Sequence, residues 1–87
     1  MKIEWYESAW EEYLTWQYED KKTIKKINSL VKDLQRNGIK GLGKPEPLKN
    51  NFDGWFSKRI NDKDRLVFKI DNGLLIIASC KGHYDDK

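Results

Sequence analysis

Six side chains in the second half of this sequence have the chemistry to act on a phosphate ester. They combine one carboxylate, three cations, the single histidine and a tyrosine: Glu46, Lys49, Arg59, Arg65, His83 and Tyr84. Cleavage of RNA without a metal requires a base for the 2′-hydroxyl proton, cations that hold the phosphate, and an acid for the leaving 5′-oxygen. The set can fill each of these roles, although many basic proteins contain the same residue types.

Each candidate also has an ordinary structural interpretation. A loop carboxylate such as Glu46 is usually solvated, and single arginines such as Arg59 and Arg65 are usually surface charges. His83 lies four residues from the end of the sequence, where side chains are often mobile. Residue types alone therefore leave the function open.

The cysteine and histidine content argues against a metal site. One cysteine, Cys80, and one histidine cannot supply a protein-only tetrahedral zinc site. No glycine-rich phosphate-binding motif with a following Lys-Ser or Lys-Thr occurs either, so we expect no metal and no cofactor. Cys80 is predicted to be a small buried hydrophobic residue, and a lone cysteine fits a reducing cytoplasm.

Nothing in the sequence predicts a membrane span or export. No segment approaches ~18 consecutive apolar residues. Met1-Lys2 is followed by Ile3-Glu4-Trp5 and not by the apolar run of a signal peptide. We therefore expect a cytoplasmic protein.

The charge is mildly positive and unevenly distributed. Seventeen Lys and Arg against fourteen Asp and Glu give a net charge of +3. The acids crowd the first twenty residues, whereas the stretch from Lys21 to Arg65 is basic. This asymmetry predicts a positive face for a polyanion such as RNA, and the alternative is an ordinary solvated surface.

The first half of the chain predicts a strand and two helices. With 87 residues we expect a single domain, 1–87. Residues 2–6 are predicted to form a strand and residues 8–19 a helix capped by Ser8, with Trp10, Tyr13, Leu14 and Gln17 on one face. Asp20 is expected to cap a second helix that ends near Gly38, with its lysines on the outer face.

The second half predicts a long loop and three strands. Residues 38–54 hold four glycines and both prolines, so a functional loop is expected there. Strands are predicted over 55–60, 65–70 and 74–81, with Asn72-Gly73 as a hairpin turn. The fold class is α+β, in the order β-α-α-β-β-β, with an antiparallel sheet packed on an N-terminal helical hairpin. The expected core-facing positions are Ile60, Leu66, Phe68 and Ile70.

Strand register predicts that the cations converge. If Ile60 lies opposite Leu66, Arg59 and Arg65 share the other face of the sheet, because side chains alternate. That register requires an odd-numbered loop, for example 62–64. The next hairpin would then set Cys80 opposite Arg65, with His83 and Tyr84 just beyond the end of the strand.

Several motifs together give this chain a family resemblance. They are the aromatic series Trp5, Trp10, Tyr13 and Trp16, and the segments DKKTIKKIN (20–28), GKPEPLK (43–49), SKRI (57–60), DRLVF (64–68) and CKGHY (80–84). In this order they resemble the YoeB toxins of the RelE superfamily over nearly the whole chain. GKPEPLK and the terminal His-Tyr are the most specific segments.

The resemblance implies a microbial RNase-like fold and the toxin of a type II toxin–antitoxin system. It implies an endoribonuclease that cuts messenger RNA in the ribosomal A site without a metal and leaves a 2′,3′-cyclic or 3′-phosphate. In this family's pattern Glu46 falls on the general base, His83 on the general acid and Arg65 on the arginine that steadies the phosphate. The remaining matches are assisting basic residues and the terminal tyrosine of the site: Lys49, Arg59 and Tyr84.

The sequence departs from the family pattern at a few positions, none of which removes a catalytic group. Arg, Tyr and a bulky residue are common in the family where this chain has Lys58, Phe68 and Gly82. The family often stops at the tyrosine, whereas here Asp85-Asp86-Lys87 follow.

The resemblance also implies partners. A YefM-type antitoxin is expected to cover Arg59 and Arg65 with an acidic or extended segment, and a toxin homodimer is expected. Two alternatives stay open. A non-catalytic toxin of the same superfamily, such as a ParE-like gyrase poison, would not need Glu46, Arg65 and His83 together. A plain RNA-binding module would need basic and aromatic residues but no acid–base pair.

Overall fold

Two helices cover one face of a five-stranded sheet. The computed structural model describes residues 1–40, 45–48 and 53–82. The helices are α1 (Glu7–Glu19) and α2 (Lys21–Asn37), followed by a 3-10 turn, Gly38–Lys40. The strands are β1 (Lys2–Trp5), β2 (Glu46–Pro47), β3 (Phe56–Arg59), β4 (Arg65–Asp71) and β5 (Leu74–Ser79).

The sheet has the order β1-β5-β4-β3-β2. The α+β class and the packing on a helical hairpin are confirmed. The pairings of β3 with β4 and of β4 with β5 are antiparallel as expected, and an additional strand, β2, pairs antiparallel with β3. In contrast, β1 pairs parallel with β5, so the sheet is mixed. The parallel pair arises because the two helices carry the chain away between β1 and the later strands.

The predicted loop over 38–54 contains a strand. Glu46 and Pro47 form β2 and pair with Ser57 and Phe56 of β3. Pro47 is tolerated because β2 is an edge strand, where one side of the backbone needs no partner in the sheet. The glycine and proline content predicted a loop and so concealed this strand, and residues 41–44 and 49–52 of the predicted loop lie outside the described residues.

The helical hairpin turns at Asp20, as predicted. Asp20 ends α1 and caps α2, and its carboxylate accepts hydrogen bonds from the Lys22 N–H at 3.0 Å and the Thr23 hydroxyl at 2.8 Å. The Tyr13 hydroxyl donates to Asn28 across the hairpin at 2.7 Å. Gly38 ends α2 with a φ of 64°, a conformation that glycine adopts without strain.

Ser8 does not cap α1 as predicted, and only part of the predicted face, including Tyr13, packs against the core. Tyr6 is the N-cap residue and makes no side-chain cap, while Ser8 lies inside the helix. The helix starts there because the Tyr6 N–H still donates to the Ile77 carbonyl, at 2.9 Å, and so extends the sheet. The helix packs mainly through Ala9 and Trp16, whereas Trp10 and Gln17 are exposed.

The core lies between the helices and the inner face of the sheet. Both helices and the sheet contribute to it. The predicted positions Ile60, which follows β3, and Leu66 and Phe68 of β4 are buried, and Ile70 is partly buried. Each fully buried large apolar side chain stabilises the fold by roughly 1.5–3 kcal/mol. The buried members from α2 and β5 are Ile27, Leu30, Val31, Leu34, Leu75 and Ile77.

The β4–β5 hairpin confirms the Asn-Gly turn. Asn72 and Gly73 have positive φ values of 50° and 74°, as a two-residue type I′ turn requires. Further along, the register shifts between Val67 and Phe68, which pair with Ser79 and Ile77. Ala78 is therefore the extra residue of a β-bulge, which moves the end of β5 by one position relative to β4.

None of the helices in the described ranges combines the length and apolar character that a bilayer span requires.

The cap at Asp20 generates a prediction about acid stability. The hydrogen bond from the Thr23 hydroxyl, with those from the Lys22 and Thr23 amides, lowers the pKa of Asp20 below its ordinary 3.8. A lowered folded-state pKa stabilises the fold above the unfolded value, and this contribution is lost as the pH falls through the folded value. We expect the melting temperature of wild type to exceed that of Asp20→Asn at about pH 7, and the difference to shrink at about pH 3.

The measurement is thermal melting of both proteins at the two pH values. Asp71→Asn, which removes an exposed carboxylate that caps no helix, is the matched control. An advantage of wild type over Asp20→Asn that stays constant down to low pH would contradict this account.

Candidate active site

Sheet register gathers Glu46, Arg59 and Arg65 on the outer face. Glu46 pairs with Ser57 of β3, and Arg59, two residues further along β3, lies directly opposite Arg65. Residues paired across strands, and residues two apart on one strand, share a face. From strand spacing and rise, the Cα atoms of Glu46 and Arg65 are about 12 Å apart, so their long side chains can approach one small group from two sides.

The shared face of the two arginines is confirmed, but in a different register. Arg59 pairs with Arg65, and the Ile60 N–H donates to the Asp64 carbonyl at 3.0 Å. Ile60 therefore does not lie opposite Leu66, and the connecting loop is 61–63 and not 62–64. The two registers differ by two residues, which preserves the face of every side chain.

Arg65 is positioned by carbonyl groups. Its Nη1 donates to the Asn61 carbonyl at 2.7 Å and to the Asp64 carbonyl at 3.1 Å. Within the ranges that the structure covers, no carboxylate forms an ion pair with it. The guanidinium is thus oriented without being neutralised, which suits a group that must bind an anion.

Arg59 is held more loosely. It forms an ion pair with Asp62, in the loop 61–63 that follows β3, and the two side chains are 64% and 90% exposed. An ion pair this exposed adds little stability. A phosphate can therefore compete with Asp62 for the guanidinium.

The end of β5 is fixed from α1. Glu12 Oε1 accepts a hydrogen bond from the Cys80 N–H at 2.8 Å, and the Trp16 Nε1–H donates to the Cys80 carbonyl at 2.9 Å. Next along the chain, Lys81 pairs with Glu19 at 3.0 Å and lies 5.1 Å from the centre of the Trp16 ring. Both backbone groups of Cys80 are therefore bonded to helix side chains.

Gly82 joins this end of β5 to β4. Its N–H donates to Asp64 Oδ1 at 2.7 Å, and its carbonyl accepts from the Arg65 N–H at 3.0 Å. Gly82, and not the predicted Cys80, is bonded to Arg65, so the predicted partner was wrong by two residues, of which the bulge accounts for one. Gly82 has a φ of 94°, which side chains rarely tolerate.

Three predicted site residues lie outside the described residues: Lys49, His83 and Tyr84. The chain reaches His83 directly after Gly82, the last residue described before the C-terminus.

Sequence reasoning missed Asp64 and Glu12. The sequence predicts Asp64 only as part of the loop 62–64, yet only 9% of it is exposed. Its position immediately before Arg65 was the available signal. Glu12 is 68 residues from Cys80 in sequence, and no local pattern indicates that contact.

Cys80 is a buried thiol, as predicted. Burial raises its pKa to about 12, and the nearby charges of Glu12 and Asp64 act in the same direction. The thiol therefore cannot serve as a nucleophile near neutral pH. Across the described ranges, three or more His, Cys, Asp or Glu side chains nowhere gather as a metal-binding group.

The architecture defines a class of protein by its fold, a small α+β domain with a helical hairpin packed on one face of a mixed sheet. YafQ from Escherichia coli, which is 20% identical, matches with a TM-score of 0.80 over 94% of this chain and 92% of that chain. At this identity the likeness concerns the fold alone.

Closer relatives identify the family. Residues 5–84 match the model described as the YoeB-like toxin of bacterial type II toxin–antitoxin systems. Toxin YoeB of Escherichia coli K12 is 49% identical over 84 residues, covering 97% of this chain and 100% of that protein. The toxin chain of a YoeB–YefM complex from Staphylococcus aureus is 47% identical, with a TM-score of 0.86 over 97% of this chain and 98% of that chain. The chain belongs to the YoeB-like toxin family of bacterial type II toxin–antitoxin systems.

The environment of Cys80 generates a prediction about thiol reactivity. With its pKa raised to about 12, the thiolate is scarce at about pH 8, and alkylation by iodoacetamide should be roughly 10³-fold slower than for an unperturbed thiol. In denaturant the same residue should label at the ordinary rate. Mass spectrometry of the folded and unfolded protein measures the difference, with a free thiol as the rate standard. Equal labelling rates would contradict the buried assignment.

Proposed function

We propose that this toxin is an endoribonuclease that cuts messenger RNA in the ribosomal A site by general acid–base catalysis and thereby stops translation. The observation that carries the proposal is the outer sheet face, where Glu46 lies two strands from Arg65 and the chain leaves β5 beside Arg65 towards His83. Among the described residues, one carboxylate and an arginine without a carboxylate partner therefore share one face of the sheet. We propose that the lone histidine, His83, joins them from the chain that follows Gly82.

The proposed reaction needs no metal. Glu46 takes the proton of the 2′-hydroxyl as the oxygen attacks the adjacent phosphorus, which forms the cyclic phosphate and breaks the bond to the 5′-oxygen. Arg65 stabilises the charge that builds on the phosphate, assisted by Arg59 and Lys49. His83 gives its proton to the leaving oxygen, and Tyr84 completes the site.

The exposed face of α2 supports binding to ribosomal RNA. It carries the solvent-exposed lysines Lys21, Lys22, Lys25, Lys26 and Lys32. Lysines at the protein surface attract phosphates over a distance that salt shortens. We therefore propose that this helix contacts the ribosome while the sheet face meets the message, which requires a cytoplasmic protein.

The proposed partners are a YefM-type antitoxin and a second toxin copy. A relative from Staphylococcus aureus occurs in a YoeB–YefM complex, and another solved structure from that organism is a YoeB dimer, 48% identical to this chain. Arg59 and Arg65 offer an acidic or extended antitoxin segment two cations on one face. The exposed ring of Trp10, stacked with Tyr13 at 5.5 Å between centroids, offers an aromatic surface for either partner.

A prediction about Glu46 tests the function. Glu46→Gln keeps the size of the side chain but removes the base, so cleavage of ribosome-bound messenger should fall by roughly 10²–10⁴-fold. Primer extension on programmed ribosomes measures the cut, and binding to an antitoxin should persist. Glu11→Gln, on the exposed side of α1, is the matched control and should cut as wild type does.

Other outcomes identify the alternatives. Glu46→Gln cutting at the wild-type rate would remove Glu46 from the mechanism. Inhibition of gyrase supercoiling without any cleavage would favour the ParE-like alternative. Binding of RNA with neither activity would favour a binding module.

A second prediction concerns His83. A free imidazole has a pKa near ~6.5, and a general acid must start protonated, so the single-turnover rate should fall at high pH in a His83-dependent way. The negative charge that develops on the phosphate favours the protonated form of the acid. Rate–pH profiles of wild type and His83→Gln make the comparison.

His83→Gln should be slower and lack that high-pH decline. If both proteins show the same decline, His83 is not the acid, and Tyr84 becomes the next candidate. A purely structural histidine would instead lower the melting temperature and leave the shape of the profile unchanged.

A further inference from the structure

Asp64 makes contacts that its place in a turn does not require. It follows a loop of exposed residues, yet its own side chain is buried. Its carboxylate accepts the Gly82 N–H at 2.7 Å, from a residue 18 positions away. Its carbonyl accepts both the Ile60 N–H and the Arg65 Nη1. Asp64 thus bonds to the residue that follows β3, to the guanidinium of Arg65, and to Gly82 in the segment that follows β5.

We propose that Asp64 is a positioning residue that sets where the chain enters His83 relative to Arg65. This inference rests on the proposed function, in which Arg65 and His83 act on the same phosphate. Asp64 itself touches no substrate in this scheme. It acts through Gly82, the residue before His83.

The geometry around Gly82 is what gives Asp64 this role. Asp64 and Arg65 are consecutive, and together they engage both polar backbone groups of Gly82: the carboxylate takes the N–H, and the Arg65 N–H binds the carbonyl. With both groups engaged and φ at 94°, the direction of the chain at Gly82 is tied to the backbone of Arg65. A bond from an N–H to a carboxylate is also stronger than one between neutral groups.

Burial explains why this contact persists. A carboxylate withdrawn from water is costly unless it is hydrogen-bonded, so the Asp64 side chain is most stable while Gly82 is in place. Removal of the carboxylate leaves the Gly82 N–H without this acceptor. The acceptors that hold Arg65 are the backbone carbonyls of Asn61 and Asp64, which a side-chain substitution at residue 64 does not remove.

A displacement of His83, the proposed general acid, is expected to slow the chemical step more than it weakens RNA binding. Displacement of a catalytic group by about 1 Å can cost up to 10²-fold in rate, whereas the lysines and arginines that attract RNA stay where they are. Loss of the Asp64 carboxylate is therefore expected to lower the maximal cleavage rate and to change the half-saturating ribosome concentration little.

The experiment compares Asp64→Ala, Asp64→Asn and Asp71→Ala with wild type. Asp64→Asn keeps an oxygen acceptor for the Gly82 N–H, and Asp71→Ala removes the same charge at the other end of β4. Single-turnover cleavage is measured over a range of programmed ribosome concentrations. Amide hydrogen exchange of Gly82, followed by NMR on the free toxin, reports the contact without a ribosome.

We expect Asp64→Ala to lower the maximal rate by about 10- to 100-fold with less than about a twofold change in half-saturation, and to lose exchange protection at Gly82. Asp64→Asn should restore the rate to within about threefold of wild type, and Asp71→Ala should match wild type. A wild-type maximal rate in Asp64→Ala, an effect confined to half-saturation, or no rescue by Asn would each overturn the inference.

Two further results keep the test decisive. If Asp64→Ala does not fold, Asp64→Glu keeps the charge but moves the acceptor by one methylene, and it should show the same fall in maximal rate; a wild-type rate would overturn the inference. If wild type cuts no ribosome-bound message, the proposed function and the positioning role of Asp64 fail together, while Gly82 exchange still reports the contact. A wild-type maximal rate in Asp64→Ala, with active wild type, overturns the inference alone.

Discussion

The strand β5 pairs with β1 on one side and with β4 on the other, so its backbone is hydrogen-bonded at both edges. The side chains of Leu75 and Ile77 face the helices and are fully buried. The helices α1 and α2 pack on the inner face of this strand, and the segment that leads to His83 leaves from its end. Its register therefore controls both the core and the candidate site.

The polar contacts at the end of β5 form a second layer of constraint. Beyond the last hydrogen bond of the sheet, side chains bind the backbone instead. Glu12 and Trp16 bond to the backbone of Cys80, and Asp64 bonds to that of Gly82. Each of these bonds satisfies a polar group that would otherwise be costly to bury. The backbone of the segment before His83 is thereby hydrogen-bonded to side chains of α1 and of the turn before β4, although it lies beyond the regular sheet.

The charges of the molecule divide by role. Carboxylates that are buried or half-buried, Asp64 and Glu12, bond to backbone N–H groups and so act structurally. Arg65 is oriented by carbonyls and keeps its charge, and Arg59 is paired only with an exposed partner. The two arginines thus remain able to bind an anion on the outer face of the sheet, while its inner face packs against the helices to form the core. This separation lets a small domain carry a charged site without weakening its packing.

Much of the architecture is determined by local sequence, because it depends on short-range chemistry. The stripe of α2, the cap at Asp20, the stop at Gly38 and the turn at Asn72-Gly73 each follow from side-chain preferences within a few residues. The alternation of side chains in strands was likewise sufficient to put Arg59 and Arg65 on one face, even though the expected register differed by two residues.

Other features were decided only by the tertiary structure. The start of α1 follows a sheet hydrogen bond to Ile77, and Glu46-Pro47 becomes a strand because β3 offers it an edge. The bulge at Ala78 sets Gly82 against Arg65, and the contacts of Glu12 and Asp64 join segments far apart in sequence. The sequence alone determined which residue types could form the site, and long-range pairing decided which of them meet, because register and buried hydrogen bonds depend on partners that no local window contains.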